Sequence, residues 1–146
     1  MRRSRTTLKR PAGQDGYTLT EMLVVIGIIG LIAAALTPGL MNQMGRARVK
    51  AAQLQLETVA SAVEVFRTDV GRYPTPDEGL EALVKEPGGV EGWSGPYLKN
   101  SRMLADPWGH PMIYDTQTKP PFLVKSLGQD GKPGGAGFDR DLTAPS

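Results

Sequence analysis

The chain changes character three times along its length. Residues 22–45 contain no charged side chain, and residues 22–36 are almost purely apolar. With the neutral flank to about residue 40, this stretch approaches the roughly 20 residues that a helix needs to cross a bilayer. Beyond it, Val49, Ala52, Leu56, Val59, Val63, Phe66 and Val70 recur at alternating spacings of three and four. That periodicity predicts one apolar face of an α-helix. Arg46, Arg48, Lys50, Gln53, Glu57, Glu64 and Arg67 fall mostly off that face. The only strong breaker between residues 18 and 70 is Pro38, followed by Gly39. Proline removes one helical hydrogen bond, so the single helix predicted for residues 18–70 is expected to kink or melt locally there. Gly71 and Pro74 end it.

The C-terminal half is punctuated differently. Thr75-Pro76-Asp77-Glu78 has the form of a capping box and predicts a short helix through Leu80, Leu83 and Val84. Asp106-Pro107-Trp108-Gly109 carries the residues of a type I turn. Residues 112–114 and 122–124 predict two antiparallel strands. The fold class is α+β: a long helix, a short helix and a small sheet. The apolar stripe is too short and too rich in Ala for a strong coiled coil, so its expected partner is the sheet.

Charge sharpens the reading of the N-terminus. The net charge of +2 conceals a division. Residues 1–16 carry Arg2, Arg3, Arg5, Lys9 and Arg10 against Asp15, a net of +4, which leaves −2 for the rest. The remaining chain is mildly acidic and presents no nucleic-acid surface. A basic segment before an apolar run orients the following domain away from the cytoplasm. Three processing routes fit the charge pattern. One is a secretory signal cut near Ala33-Ala34-Ala35, with Arg2-Arg3 hinting at twin-arginine export. The second is an uncleaved anchor. The third is a leader removed on the cytoplasmic side at Gly16/Tyr17, with the apolar segment retained. Glu21 favours the third. A carboxylate at the edge of the apolar run costs about 2.5–3.5 kcal/mol if carried to the bilayer centre, and a discarded signal has no use for it. In a filament it can pair with the amine freed at Tyr17 of a neighbour, which is less costly than either lone charge.

Absent chemistry narrows the choice further. There is no Cys and one His, which removes disulfide frameworks, thiol nucleophiles and Cys-based zinc sites. No nucleophile–base pair, phosphate loop or paired carboxylates in an apolar setting stand out, so no enzymatic activity is expected. Trp93, Tyr97 and Trp108 read as core aromatics beside turns, His110 as a turn or surface residue without a partner, and Glu78, Glu81 and Glu86 as a solvated helix face. Residues 126–142 contain five Gly and three Asp. A loop of this length and composition needs something to hold it. Asp130, Asp139 and Asp141 converging with backbone carbonyls would suit Ca²⁺, and ordinary turns in a solvated loop are the alternative.

The segment Gly16-Tyr17-Thr18-Leu19-Thr20-Glu21 and its apolar sequel resemble the class III signal of type IV pilins and pseudopilins. The resemblance implies that a prepilin peptidase cuts after Gly16 and that Tyr17 is then N-methylated. It gives Glu21, with Thr18, a role in assembly, and makes Pro38 the helix kink. Downstream, Gly71-Arg72-Tyr73-Pro74-Thr75, Glu78-Gly79-Leu80, Gly95-Pro96-Tyr97-Leu98, Asp106-Pro107-Trp108-Gly109 and Ser126-Leu127-Gly128 occur in that order. Together they resemble the type II secretion G-subunit pseudopilins. A pilin-like fold follows from the resemblance, with residues 1–16 a cleaved leader, 17–40 a membrane and filament-core helix, and 41–146 a periplasmic domain. The resemblance also implies a Ca²⁺ site at Leu127 (carbonyl), Asp130, Asp139 and Asp141. The implied setting is the Gram-negative inner membrane. The implied partners are other copies of the chain, minor pseudopilins, an assembly platform with its ATPase, and secreted proteins. A type IV pilin for adhesion, motility or DNA uptake is the rival within the superfamily. An exported soluble binding protein is the rival outside it.

Overall fold

The structure, a computed structural model, describes residues 16–117 and 121–145. The basic leader positions, Arg2 and Arg3 among them, lie outside the described residues. The chain divides into two units, Met1–Leu40 and Met41–Ser146.

In the first unit, the helix α1 (Leu19–Val70) begins. Its residues up to Leu40 are all exposed, including Leu23, Ile26, Ile29, Leu31 and Leu36. This is a helix long and apolar enough to cross a membrane. Its start is a reciprocal capping box. The Glu21 amide donates to Thr18 Oγ1 at 3.1 Å, and the Thr18 amide donates to Glu21 Oε2 at 3.5 Å. The helix continues through Pro38 and Gly39, so the expected local melting is not present. Thr37 adds a bond from its hydroxyl to the Ala33 carbonyl at 2.6 Å.

The second unit is built around the outer part of α1. The predicted stripe is the buried face: Ala52, Leu56, Val59, Val63 and Phe66 are buried, and Val49 and Val70 pack against the core from its edges. Opposite lies a three-stranded antiparallel sheet in the order β1 (Ile113–Asp115), β2 (Leu123–Ser126), β3 (Leu142–Ala144). Tyr114 pairs with Val124, and Val124 with Ala144. The third strand was not predicted. Its Leu142 and Ala144 lack the β-branched and aromatic character that marked the other two strands. Val124, Leu142 and Ala144 supply the sheet's share of the core, joined by Phe122 just before β2.

The short helix is a 3-10 helix, Gly79–Leu83, in place of an α-helix. Five residues between a capping turn and Pro87 leave no room for a stable α-helix. Its capping box forms as expected, with Thr75 N donating to Glu78 Oε2 at 2.7 Å and Glu78 N to Thr75 Oγ1 at 3.3 Å. Glu78 also takes two bonds from the Arg72 guanidinium, both 2.7 Å, so it is an anchor and not part of a solvated face. The Arg72 hydrogen bonds hold the Glu78 carboxyl at about 2, down from 4.5. A depressed carboxyl pKa stabilises the fold fully above the ordinary value and loses that contribution as pH falls toward the depressed one. Replacing Glu78 with Gln keeps the cap and removes the charge. Because Arg72 is substantially exposed, the expected cost is about 1 kcal/mol at pH 7, fading below pH 4.5. Urea titrations of both proteins at pH 7 and pH 3 check this.

Candidate functional site

Two regions carry the chemistry. The first is the N-terminal edge of α1. Gly16 and Tyr17 precede the helix and are exposed. Glu21 sits in the first turn, its carboxylate folded back on Thr18. Sequence reasoning assigned Thr18 to assembly and missed that it is the N-cap. The Thr-x-x-Glu spacing would have revealed it.

The second region is the glycine-rich loop after β2. The Asp106-Pro107-Trp108-Gly109 turn forms as predicted, with the Gly109 amide donating to the Asp106 carbonyl at 2.9 Å. The Asp106 side chain does more than turn the chain. Only 5% exposed, it accepts from the amides of Trp108 and His110 at Oδ1, at 3.1 and 2.9 Å. Its Oδ2 accepts from the fully buried Ser126 hydroxyl at 2.6 Å. His110 is not the unpartnered residue expected from sequence. Its Nδ1 lies 3.2 Å from the Gly128 carbonyl, so Nδ1 bears the proton and donates. Its ring also lies against Gly131. Asp106, His110 and Ser126 therefore fix the root of the loop, and no motif signalled that they would.

Further along, the loop folds on itself. The Gln129 amide donates to the Phe138 carbonyl at 3.0 Å, and the Asp139 amide to the Ala136 carbonyl at 3.2 Å. Gly128 has φ +69°, and a Cβ there would lie 2.7 Å from the Asp139 carbonyl, so only glycine fits. The carboxylates meet backbone. Asp130 Oδ1 accepts from the Lys132 amide at 3.1 Å, and both oxygens of Asp141 accept from the Gly134 amide at 3.0 Å. Among the described residues no group of three or more acidic or imidazole side chains is gathered to hold a metal ion. In this arrangement turn amides take Asp130 and Asp141. The donor chemistry nonetheless fits calcium, since the loop offers carboxylate and carbonyl oxygens only.

The aromatics are structural, as expected. Trp93 and Tyr97 meet edge to face at 5.7 Å, Phe66 and Tyr97 at 5.8 Å, and Trp93 Nε1 donates to the Ala82 carbonyl at 2.9 Å.

Comparison with known proteins agrees over nearly the whole chain. The family model for type II secretion system protein G matches residues 39–145, and that for the prokaryotic N-terminal methylation motif matches residues 11–37. The methylation motif and the apolar helix fit a membrane-anchored component. The type II secretion system core protein G of Pseudomonas aeruginosa is 40% identical over 134 residues, 88% of this chain and 93% of that one. That of Xanthomonas campestris is 38% identical over 146 residues, 97% of each. The crystal structure of the major pseudopilin from the type 2 secretion system of enterohaemorrhagic Escherichia coli superposes with a TM-score of 0.57 at 27% identity, covering 73% of this chain and 94% of that one. The match covers the folded domain as well as the N-terminal segment that all pilin-like chains share, and this removes the support for the type IV pilin alternative. The chain belongs to the type II secretion system protein G family.

Proposed function

We propose that this chain is the major subunit of a type II secretion pseudopilus. It is cut after Gly16, N-methylated on Tyr17 and held in the inner membrane by α1, with its second unit in the periplasm. Copies then leave the bilayer by packing their apolar helices together, each Glu21 opposite the amine of a neighbouring Tyr17. The growing filament pushes folded proteins outward. A prepilin peptidase, minor pseudopilins and an inner-membrane platform with its ATPase are the partners this role requires. The observation that carries the reading is the exposure of every residue from 19 to 40 on a helix that leads into a well-packed, family-matched domain. Such a surface is stable only in lipid or against other copies.

N-terminal sequencing and intact mass of the chain from its host test this directly. The expected product starts at Tyr17 and carries one added methyl group. A start near Leu36 would mean an ordinary secretory signal and would end the proposal.

The same reading assigns Ca²⁺ to the loop, with the Leu127 carbonyl, Asp130, Asp139 and Asp141 as the residues that would hold it. Bound calcium would tie a polar, glycine-rich loop to the domain. At a calcium concentration about a hundredfold above Kd, linkage gives about 2.7 kcal/mol. For a domain of this size that raises Tm by at least about 5 °C. EDTA is expected to remove the shift, and Asp130→Ala to abolish the response. A wild-type Tm indifferent to EDTA rules the ion out.

A further inference from the structure

The folded unit carries a cationic groove and an acidic lip. At the end where α1 enters it, Arg46, Lys50 and Arg140 line a groove of about 510 Å³ with Val49 and Phe138. No carboxylate lines this groove. Among the described residues, none of the three cations has an ion-pair partner. The wall is fixed by Gly45: a Cβ there would come within 2.6 Å of the Phe138 ring, so the ring lies directly on the helix backbone. The groove is thus a built concavity with an apolar floor and a cationic rim.

The acidic lip lies at the other end. Residues 77–91 hold Asp77, Glu78, Glu81, Glu86 and Glu91 against Lys85 alone. Glu78 is spent on Arg72, while Asp77, Glu81, Glu86 and Glu91 are exposed. This lip stands over the C-terminal end of α1. Phe66 touches Tyr97, whose amide donates to the Leu83 carbonyl, and Asp69 takes a hydrogen bond from Ser94 next to Trp93. From Arg46 to Val70 the helix rises roughly 36 Å at about 1.5 Å per residue.

We propose that the cationic groove beside Phe138 receives the acidic lip around Glu81 and Glu86 of a second copy of this chain, head to tail. Charge complementarity selects this occupant. Each surface repels its own copy, so a two-fold dimer through either one is disfavoured. Placing the two surfaces at opposite ends of one helix makes the contact heterologous, and a heterologous contact that does not close produces an open chain of subunits. Pro87, beside Glu86, offers the Phe138 floor an apolar counterpart. The inference rests on the reading that the chain polymerises and adds the axial contact outside the apolar helices.

The absence of cysteine makes the test clean. The full-length chain carrying both Lys50→Cys and Glu86→Cys is treated with a short bismaleimide in membranes of secreting cells. A ladder of covalent multimers is expected, with each single variant remaining monomeric. Adding Arg46→Glu and Arg140→Glu is expected to abolish the ladder, and further adding Glu81→Lys to restore it. The ladder is also expected to weaken as salt shortens the screening length below about 10 Å. A double-cysteine chain that sediments as a filament yet stays monomeric on the gel overturns the contact and leaves the polymer reading standing. One that neither cross-links nor sediments overturns both. Dimers from Lys50→Cys alone, or a ladder that survives the charge reversal, overturn the proposal too.

Discussion

Asp106→Ala is expected to cost the folded unit about 3–5 kcal/mol, the largest stability loss of any single polar truncation here. The residue is 5% exposed and accepts three hydrogen bonds. Two of them hold the turn that feeds β1. The third holds Ser126, the last residue of β2, whose hydroxyl is fully buried. Truncation leaves that hydroxyl and two partly buried amides without acceptors, at about 1–3 kcal/mol each before relaxation. The loss also reaches the loop root, because the Gly128 amide bonds to Ser126 Oγ. Domains are stable by only about 5–15 kcal/mol, so the variant should unfold at markedly lower urea with an unchanged slope. Asp106→Asn retains an acceptor at Oδ1 and an amide that can donate to Ser126, and should lose about 1 kcal/mol. If Asp106→Ala matched wild type within 0.5 kcal/mol, roughly the scatter of surface substitutions, the anchoring role would be wrong.

That role marks where the sequence ceases to be legible. The stripe from Val49 to Val70 was readable because a helix buries residues at a fixed angular period, and each position reports its own burial. Tyr114 and Val124 were readable as strand residues for the same local reason. The Asp106 turn was readable too, since Asp-Pro-x-Gly fixes backbone geometry within four residues. What could not be read is where the second oxygen of Asp106 goes. Ser126 lies twenty residues away, and no local pattern encodes that meeting. β3 was lost because Leu142 and Ala144 are neither β-branched nor aromatic. The aspartates of the loop were legible as oxygen donors, but not in their partners. Which turn amide takes Asp130 or Asp141 depends on the path the glycines allow. Glu21 was legible by position, as a charge bordering an apolar run. Its second job became visible only when the Thr18 amide and hydroxyl appeared beside it.

Because Glu21 has two jobs, the substitution that separates them is Glu21→Gln. Gln at the third helical position supports a capping box as Glu does, so the start of α1 is expected to survive, with the leader still removed at Gly16. What Gln lacks is the charge that opposes a neighbour's Tyr17 amine. A lone ammonium drawn among apolar helices costs several kcal/mol without a counter-ion, and a penalty of that size recurs at every subunit added. Filaments and secretion are therefore expected to disappear, while cleaved subunits accumulate in the membrane. Glu21→Asp keeps the charge on a shorter arm and is expected to assemble in part. If capping were the whole function, the order would reverse: Gln would assemble like wild type, and Asp, less suited to reach back to the Thr18 amide, would fail first. Sedimented filament yield from the three proteins, with cleavage checked by mass, distinguishes the two orders. Normal filaments from Glu21→Gln would refute the charge pairing and leave Glu21 a helix cap.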